Sequence, residues 1–142
     1  MVFKSEFGAV EGKMIEEARE PVGGTREDQD WRAFKAFLKI AELWGLTTDQ
    51  QVTLLGSPAR STFFKWKKEG GLLPPDTVER ISHIFSIYKC LNILFPDPAR
   101  ADAWIRRPNQ YWNSQSALDR MLSGTMFDII DVRRYLDAQR GG

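Results

Sequence analysis

Arg60, Lys65, Lys67 and Lys68 place four positive charges within nine residues, with no acid among them. Such a cluster neutralises phosphates and frees the cations condensed around a nucleic acid, which gives affinity without sequence information. The same segment opens with Ser57, Pro58, Ala59, Arg60, Ser61 and Thr62. Small, polar and basic residues at a helix start are the types that reach base edges and phosphates. Arg60 suits bidentate contact with guanine, and Ser61 or Thr62 a base edge or a phosphate oxygen. The expected DNA-binding residues are therefore Ser57, Arg60, Ser61, Thr62, Lys65, Lys67 and Lys68. The plainer reading of these residues is an amphipathic helix whose lysines face water. Covalent chemistry has less to work with. His83 is the single histidine and Cys90 the single cysteine. Their spacing puts them on one helix face, yet no acid or oxyanion group accompanies them, and apolar neighbours favour an inert thiol. One cysteine makes neither an internal disulfide nor a multi-thiolate zinc site. Gly23-Gly24 and Gly70-Gly71 lack the strand–helix context of a phosphate loop. The chain reads as a non-enzyme that needs no metal and no cofactor.

Helices must position these side chains. Trp31, Phe34, Phe37, Leu38 and Ala41 recur at helical spacing until Gly45. Thr47 or Thr48, followed three residues on by Gln50 or Gln51, predicts a capping box and a second helix that stops at Gly56. Ser57-Pro58 then reads as an N-cap and first turn for a third helix to Lys67. Phe63 and Trp66, at i and i+3, would hold that helix to the core. Asp76 or Thr77 is expected to cap a long helix with two apolar stripes. The first is Val78, Ile81, Ile84, Phe85, Tyr88, Leu91 and Phe95; the second is Ile87, Cys90 and Leu94. A face this wide fits either a dimer interface or burial between two layers of the same chain. Asp97-Pro98 starts a short helix through Trp104, and Asn109–Gln115 reads as a loop. Ser116 with Asp119 caps a helix ending near Gly124, and a last helix spans Phe127–Ala138. Nothing alternates with period two over a useful length, so the expected fold is all-α.

The 142 residues suit one domain or two small helical modules sharing a core. Net charge is only +1, which excludes a polybasic or polyanionic protein, but it is unevenly spread. Residues 1–30 carry −4 and residues 31–68 carry +5. The first thirty residues, with scattered acids and glycines and a short helix at most over Lys13–Arg19, read as a flexible acidic arm. The expected organisation is that arm (1–30), a helix-turn-helix domain (31–75), a connecting or dimerisation helix (76–95) and a C-terminal helical module (96–142). No apolar run approaches a membrane span and the N-terminus lacks a signal-peptide core. A cytoplasmic protein is expected. A helix-turn-helix reading one half-site binds weakly, so a two-fold dimer is expected too.

The C-terminal module carries a pattern of its own. Trp104-Ile105-Arg106-Arg107-Pro108-Asn109 follows the form Trp-aliphatic-Arg-x-Pro-Asn. A loop, a short helix Ala117–Gly124 and a Val-Arg-x-Tyr-Leu segment, Val132–Leu136, come after it. In order and spacing these pieces resemble the Xre/MbcA/ParS antitoxins. Leu43-Trp44-Gly45-Leu46, Leu55-Gly56 and Trp66 are similar to the Xre-like helix-turn-helix of the same proteins. The departure lies in Asn113–Asp119, where Ala117 stands in place of a proline and the family's glycine entry is missing. The resemblance implies an antitoxin that represses its own operon and occludes the active site of a RES-domain, NAD-consuming toxin encoded beside it. It implies a homodimer within a hetero-oligomeric complex. Carried over, it assigns toxin contact to Trp104, Arg106, Asn109, Arg133, Arg134, Tyr135, Gln139, Arg140, Gly141 and Gly142. From the residues alone, that last stretch also fits a frayed helix whose arginines complement its dipole. Two other functions fit the residues, a stand-alone helix-turn-helix regulator and a helical adaptor without DNA binding.

Overall fold

The structure, a computed structural model, describes residues 24–141, so the Lys13–Arg19 helix, the acidic stretch before Gly24 and Gly142 lie outside the described residues. Helix α1 (Arg26–Leu43) starts on a capping box in which Thr25 and Asp28 exchange side-chain bonds to each other's backbone N–H groups. It thus begins ahead of Trp31, inside the stretch read as arm, because the cap sits among acidic residues that apolar spacing does not register. Helix α2 (Thr48–Leu54) starts on the expected box of Thr47 and Gln50.

It ends at Gly56 as expected, but the way it ends takes up Ser57. The Gly56 N–H donates to Thr53 O at 3.1 Å and the Ser57 N–H to Val52 O at 2.9 Å, the paired bonds of a Schellman C-cap. Ser57 is consumed in that motif with φ 59°. Helix α3 (Arg60–Glu69) therefore starts from Ala59 with no side-chain cap. A similar correction applies to α4 (Pro75–Leu94), whose N-cap is Pro74. The Thr77 hydroxyl donates to Leu55 O at 3.2 Å, and Asp76 accepts from Arg80 Nε at 2.9 Å. Thr77 thus ties α4 to the end of α2, and Asp76 pairs one turn along α4 itself instead of capping its first turn.

Helix α4 is the centre of the molecule. Helix α1 packs on one side of it and α7 (Met126–Gln139) on the other. Ile81, Ile84, Ile87, Tyr88, Cys90 and Leu91 are all buried by these neighbours. Most of the wide apolar face is therefore filled within the chain, and Val78, Phe85, Leu94 and Phe95 of its stripes are half-buried. Helix α5 (Pro98–Trp104) is capped by Asp97 as expected, and α6 (Ala117–Met121) by the Ser116–Asp119 box. Between them the expected loop holds a two-residue antiparallel ladder, β1 (Pro108–Asn109) with β2 (Gln115–Ser116). A 3-10 turn over Gln110–Trp112 joins the two. Strands this short leave no alternation to read. The fold is otherwise all-α.

Two arginines fasten the halves. The Arg106 guanidinium donates to Trp44 O at 2.9 Å and Gly45 O at 3.0 Å, the carbonyls at the end of α1. Arg80, buried beneath the α2–α3 turn, bonds Gly124 O at 3.2 Å as well as Asp76. Each bond answers an end-of-helix or loop carbonyl that would otherwise lack a donor. One half-buried acid in the C-terminal half has no such answer. Asp102 Oδ1 lacks a partner among the described residues, and burial pushes this carboxyl up to about 6 from 3.8. The folded chain thus holds the proton more readily than the unfolded one, so stability falls as pH rises from 3.8 to about 6. Asp102→Asn should flatten that slope and raise the melting temperature at pH 7, checked by thermal unfolding across this window.

Candidate functional site

Helix α3 presents a mixed surface built by simple helical geometry. Phe63 and Trp66 point inward, 1% and 7% exposed, against Phe34 of α1. Residues on the opposite side must then face water, and Ser61, Phe64, Lys65 and Lys68 do. Arg60 and Lys67 are exposed along one flank of this stripe. Thr62 is not part of it. It lies on the flank of Trp66 and lines a groove with Pro58, Pro74 and Thr77. Ser57 sits exposed in the turn ahead of the helix. The structure thus brings Arg60, Ser61, Lys65, Lys67 and Lys68 together and leaves Thr62 and Ser57 aside.

Two residues absent from the sequence-based set belong to this surface. Asp49 of α2 forms an ion pair with Arg60, and the Arg60 guanidinium also lies 5.8 Å from the Phe64 ring centroid. Both partners of the ion pair are well exposed, so it contributes little stability. Its effect is orientation, since one edge of the planar guanidinium is held while the other can fork onto a base. Phe64 was legible in principle, as an aromatic out of phase with Phe63 and Trp66. Asp49 was not, because the contact crosses the α2–α3 turn.

A second surface forms around the β1–β2 ladder and α7. Trp104, Tyr111, Trp112 and Tyr135 make one aromatic cluster: Tyr135 lies 6.1 Å from Trp104, 4.8 Å from Tyr111 and 5.0 Å from Trp112. Trp112 is fixed from below by a 2.8 Å bond from its indole N–H to Asp131. Tyr111, absent from the expected set, stands 62% exposed at the rim. Asn109 shapes this turn, its side-chain oxygen accepting from the Tyr111 N–H at 2.9 Å. Asn113 and Ser114 complete the reversal at φ 54° and 71°, the left-handed backbone that glycine would take more cheaply.

The remaining expected residues separate. Arg134, Gln139, Arg140 and Gly141 are exposed along and beyond the end of α7. Arg133 is half-buried and donates to His83 Nδ1 at 2.9 Å. Burial, then the Arg133 charge, hold His83 below the ordinary histidine range, and because a guanidinium only donates, Nδ1 is the accepting nitrogen of this contact. Arg106 reaches the end of α1 and is not in the aromatic cluster. Cys90 donates to Leu136 O at 3.4 Å, and burial pushes its thiol up, the environment of an unreactive cysteine.

Comparison with known proteins finds two matches that meet within α4. Residues 33–86 match the antitoxin Xre-like helix-turn-helix domain, which includes the basic stripe of α3. Residues 90–142 match the antitoxin Xre/MbcA/ParS C-terminal toxin-binding domain, which includes the aromatic cluster and α7. An uncharacterized protein, y4oB of Sinorhizobium fredii (strain NBRC 101917 / NGR234), is 58% identical over 127 residues, covering 87% of this chain and 98% of its own. Two antitoxin domains in this order, on one continuous helical frame, make the chain a member of the Xre/MbcA/ParS family of antitoxins.

Proposed function

We propose that this antitoxin neutralises a RES-type, NAD-consuming toxin encoded in the same operon by covering its active site, and that it represses that operon through α3. What carries the reading is the exposed end of α7. Arg134 flanks Tyr135, and Gln139, Arg140 and Gly141 follow it along and beyond the exposed end of α7, all inside the toxin-binding match. Aromatic and arginine side chains are the usual anchors of protein interfaces. The proposed toxin-contact set is Trp104, Asn109, Tyr135, Arg134, Gln139, Arg140, Gly141 and Gly142, with Tyr111 added. Arg106 and Arg133 support it by holding α5 and α7 in place.

On the DNA side, Arg60, Ser61, Lys65, Lys67 and Lys68 contact the operator, and pairing of two copies supplies the second half-site. The protein acts as a non-enzymatic inhibitor in the cytoplasm. Co-expression with the adjacent toxin gene tests the occlusion. Deleting Asp137–Gly142 should restore loss of cellular NAD and growth arrest while operator retardation on gels stays intact. Full neutralisation by the truncated chain would remove the tail from the mechanism. Toxicity without NAD loss would remove the RES assignment.

A further inference from the structure

We infer that Phe64 reads the 5-methyl group of a thymine in the DNA major groove, beside the base contacted by Arg60. The inference rests on the DNA-binding reading of α3 and adds a sequence preference to it. Phe64 is 45% exposed, in a stripe whose other members, Ser61, Lys65 and Lys68, are polar or charged. Its ring is not loose. Phe63 meets it edge-on at 5.4 Å and the Arg60 guanidinium covers it at 5.8 Å.

A phenyl ring held outward at the middle of such a surface needs an apolar partner in the groove. Among the base edges of the major groove, thymine alone offers one, its C5-methyl. Arginine's own preferred partner is the O6/N7 edge of guanine. The Arg60 guanidinium lies 5.8 Å from the Phe64 ring centroid, between one and two of the roughly 3.4 Å steps of a duplex. The pair therefore selects a thymine within two base steps of a guanine.

The full chain would be used to select sites from a pool of randomised duplexes. Each thymine of the recovered site would then be replaced singly by deoxyuridine, which removes only the methyl. At one position near a guanine the substitution should weaken binding about fourfold, the value of one buried methyl group. Phe64→Ala should bind the thymine and deoxyuridine duplexes equally, and Phe64→Leu, with an apolar tip retained, should restore part of the difference. If no deoxyuridine position matters, or if Phe64→Ala keeps the same ratio, the inference is overturned and Phe64 belongs to a protein contact. A pool that yields no site at all defeats the DNA-binding reading itself, a different result from a site that is indifferent to the methyl.

Discussion

Phe34→Ala is expected to cost about 3–5 kcal/mol of folding stability, the range for truncating a buried aromatic. Phe34 has no exposed surface and touches Trp31, Phe37, Phe63 and Trp66. It is the ring on which α3 is seated against α1. Small domains hold only about 5–15 kcal/mol in total, so this single truncation consumes a large share. Because α4 packs on both α1 and α7, the loss should appear in both halves together. Urea unfolding followed by circular dichroism should show one transition at a lower midpoint, and the fluorescence of the five tryptophans, which lie in both halves, should follow it. Phe127→Ala, at 82% exposure, should move the midpoint by less than about 0.5 kcal/mol. Equal effects of the two substitutions would contradict the packing described.

The second large effect is expected at the α2–α3 turn. Gly56 has φ 97°, and a Cβ placed there would stand 2.9 Å from Asp76 Oδ2 and 3.2 Å from Arg80 Nε. Gly56→Ala thus combines a backbone conformation that costs an L-residue about 1–3 kcal/mol with pressure on the Asp76–Arg80 pair of α4 beneath the turn. Gly71→Ala separates the two. Its φ of 114° is as unfavourable, but nothing lies within 4 Å of the added carbon. Gly56→Ala should therefore be the more destabilising of the two by about 1–2 kcal/mol, in keeping with the cost of overpacking. It should also weaken DNA retardation, since the turn sets the angle of α3. Denaturation midpoints of both variants check this, and parity between them would show that the Asp76–Arg80 contact yields without cost.

Legibility in the sequence followed the range of each signal. Helices, and caps such as Thr47–Gln50 and Ser116–Asp119, depend on neighbours a few residues apart, so spacing alone locates them. Ser57 and Asp76 were misassigned because each could serve two motifs. Competition from the Schellman bonds at Gly56, and from Arg80 a turn later, decided between them. The use of α4 depended on partners far along the chain. Its apolar width was evident, but not that α7 would cover the second stripe. The aromatic cluster was hidden for the same reason. Trp104, Tyr111, Trp112 and Tyr135 come from three segments and meet only in the fold. On α3 the basic residues were plain, while Asp49 and the exposure of Phe64 required the turn geometry.

The carbonyls of Trp44, Gly45 and Gly124 reach across the chain to arginines of the opposite half. This bears on how such genes can diversify. A recombination event that exchanged only the C-terminal half with a relative would set a foreign α7 against the native α4 and lose the reciprocal fit at both arginines. New partner preferences are more readily acquired by substitutions at solvent-facing positions of α7 and the β1–β2 hairpin, where neighbouring packing places little constraint on the side chain.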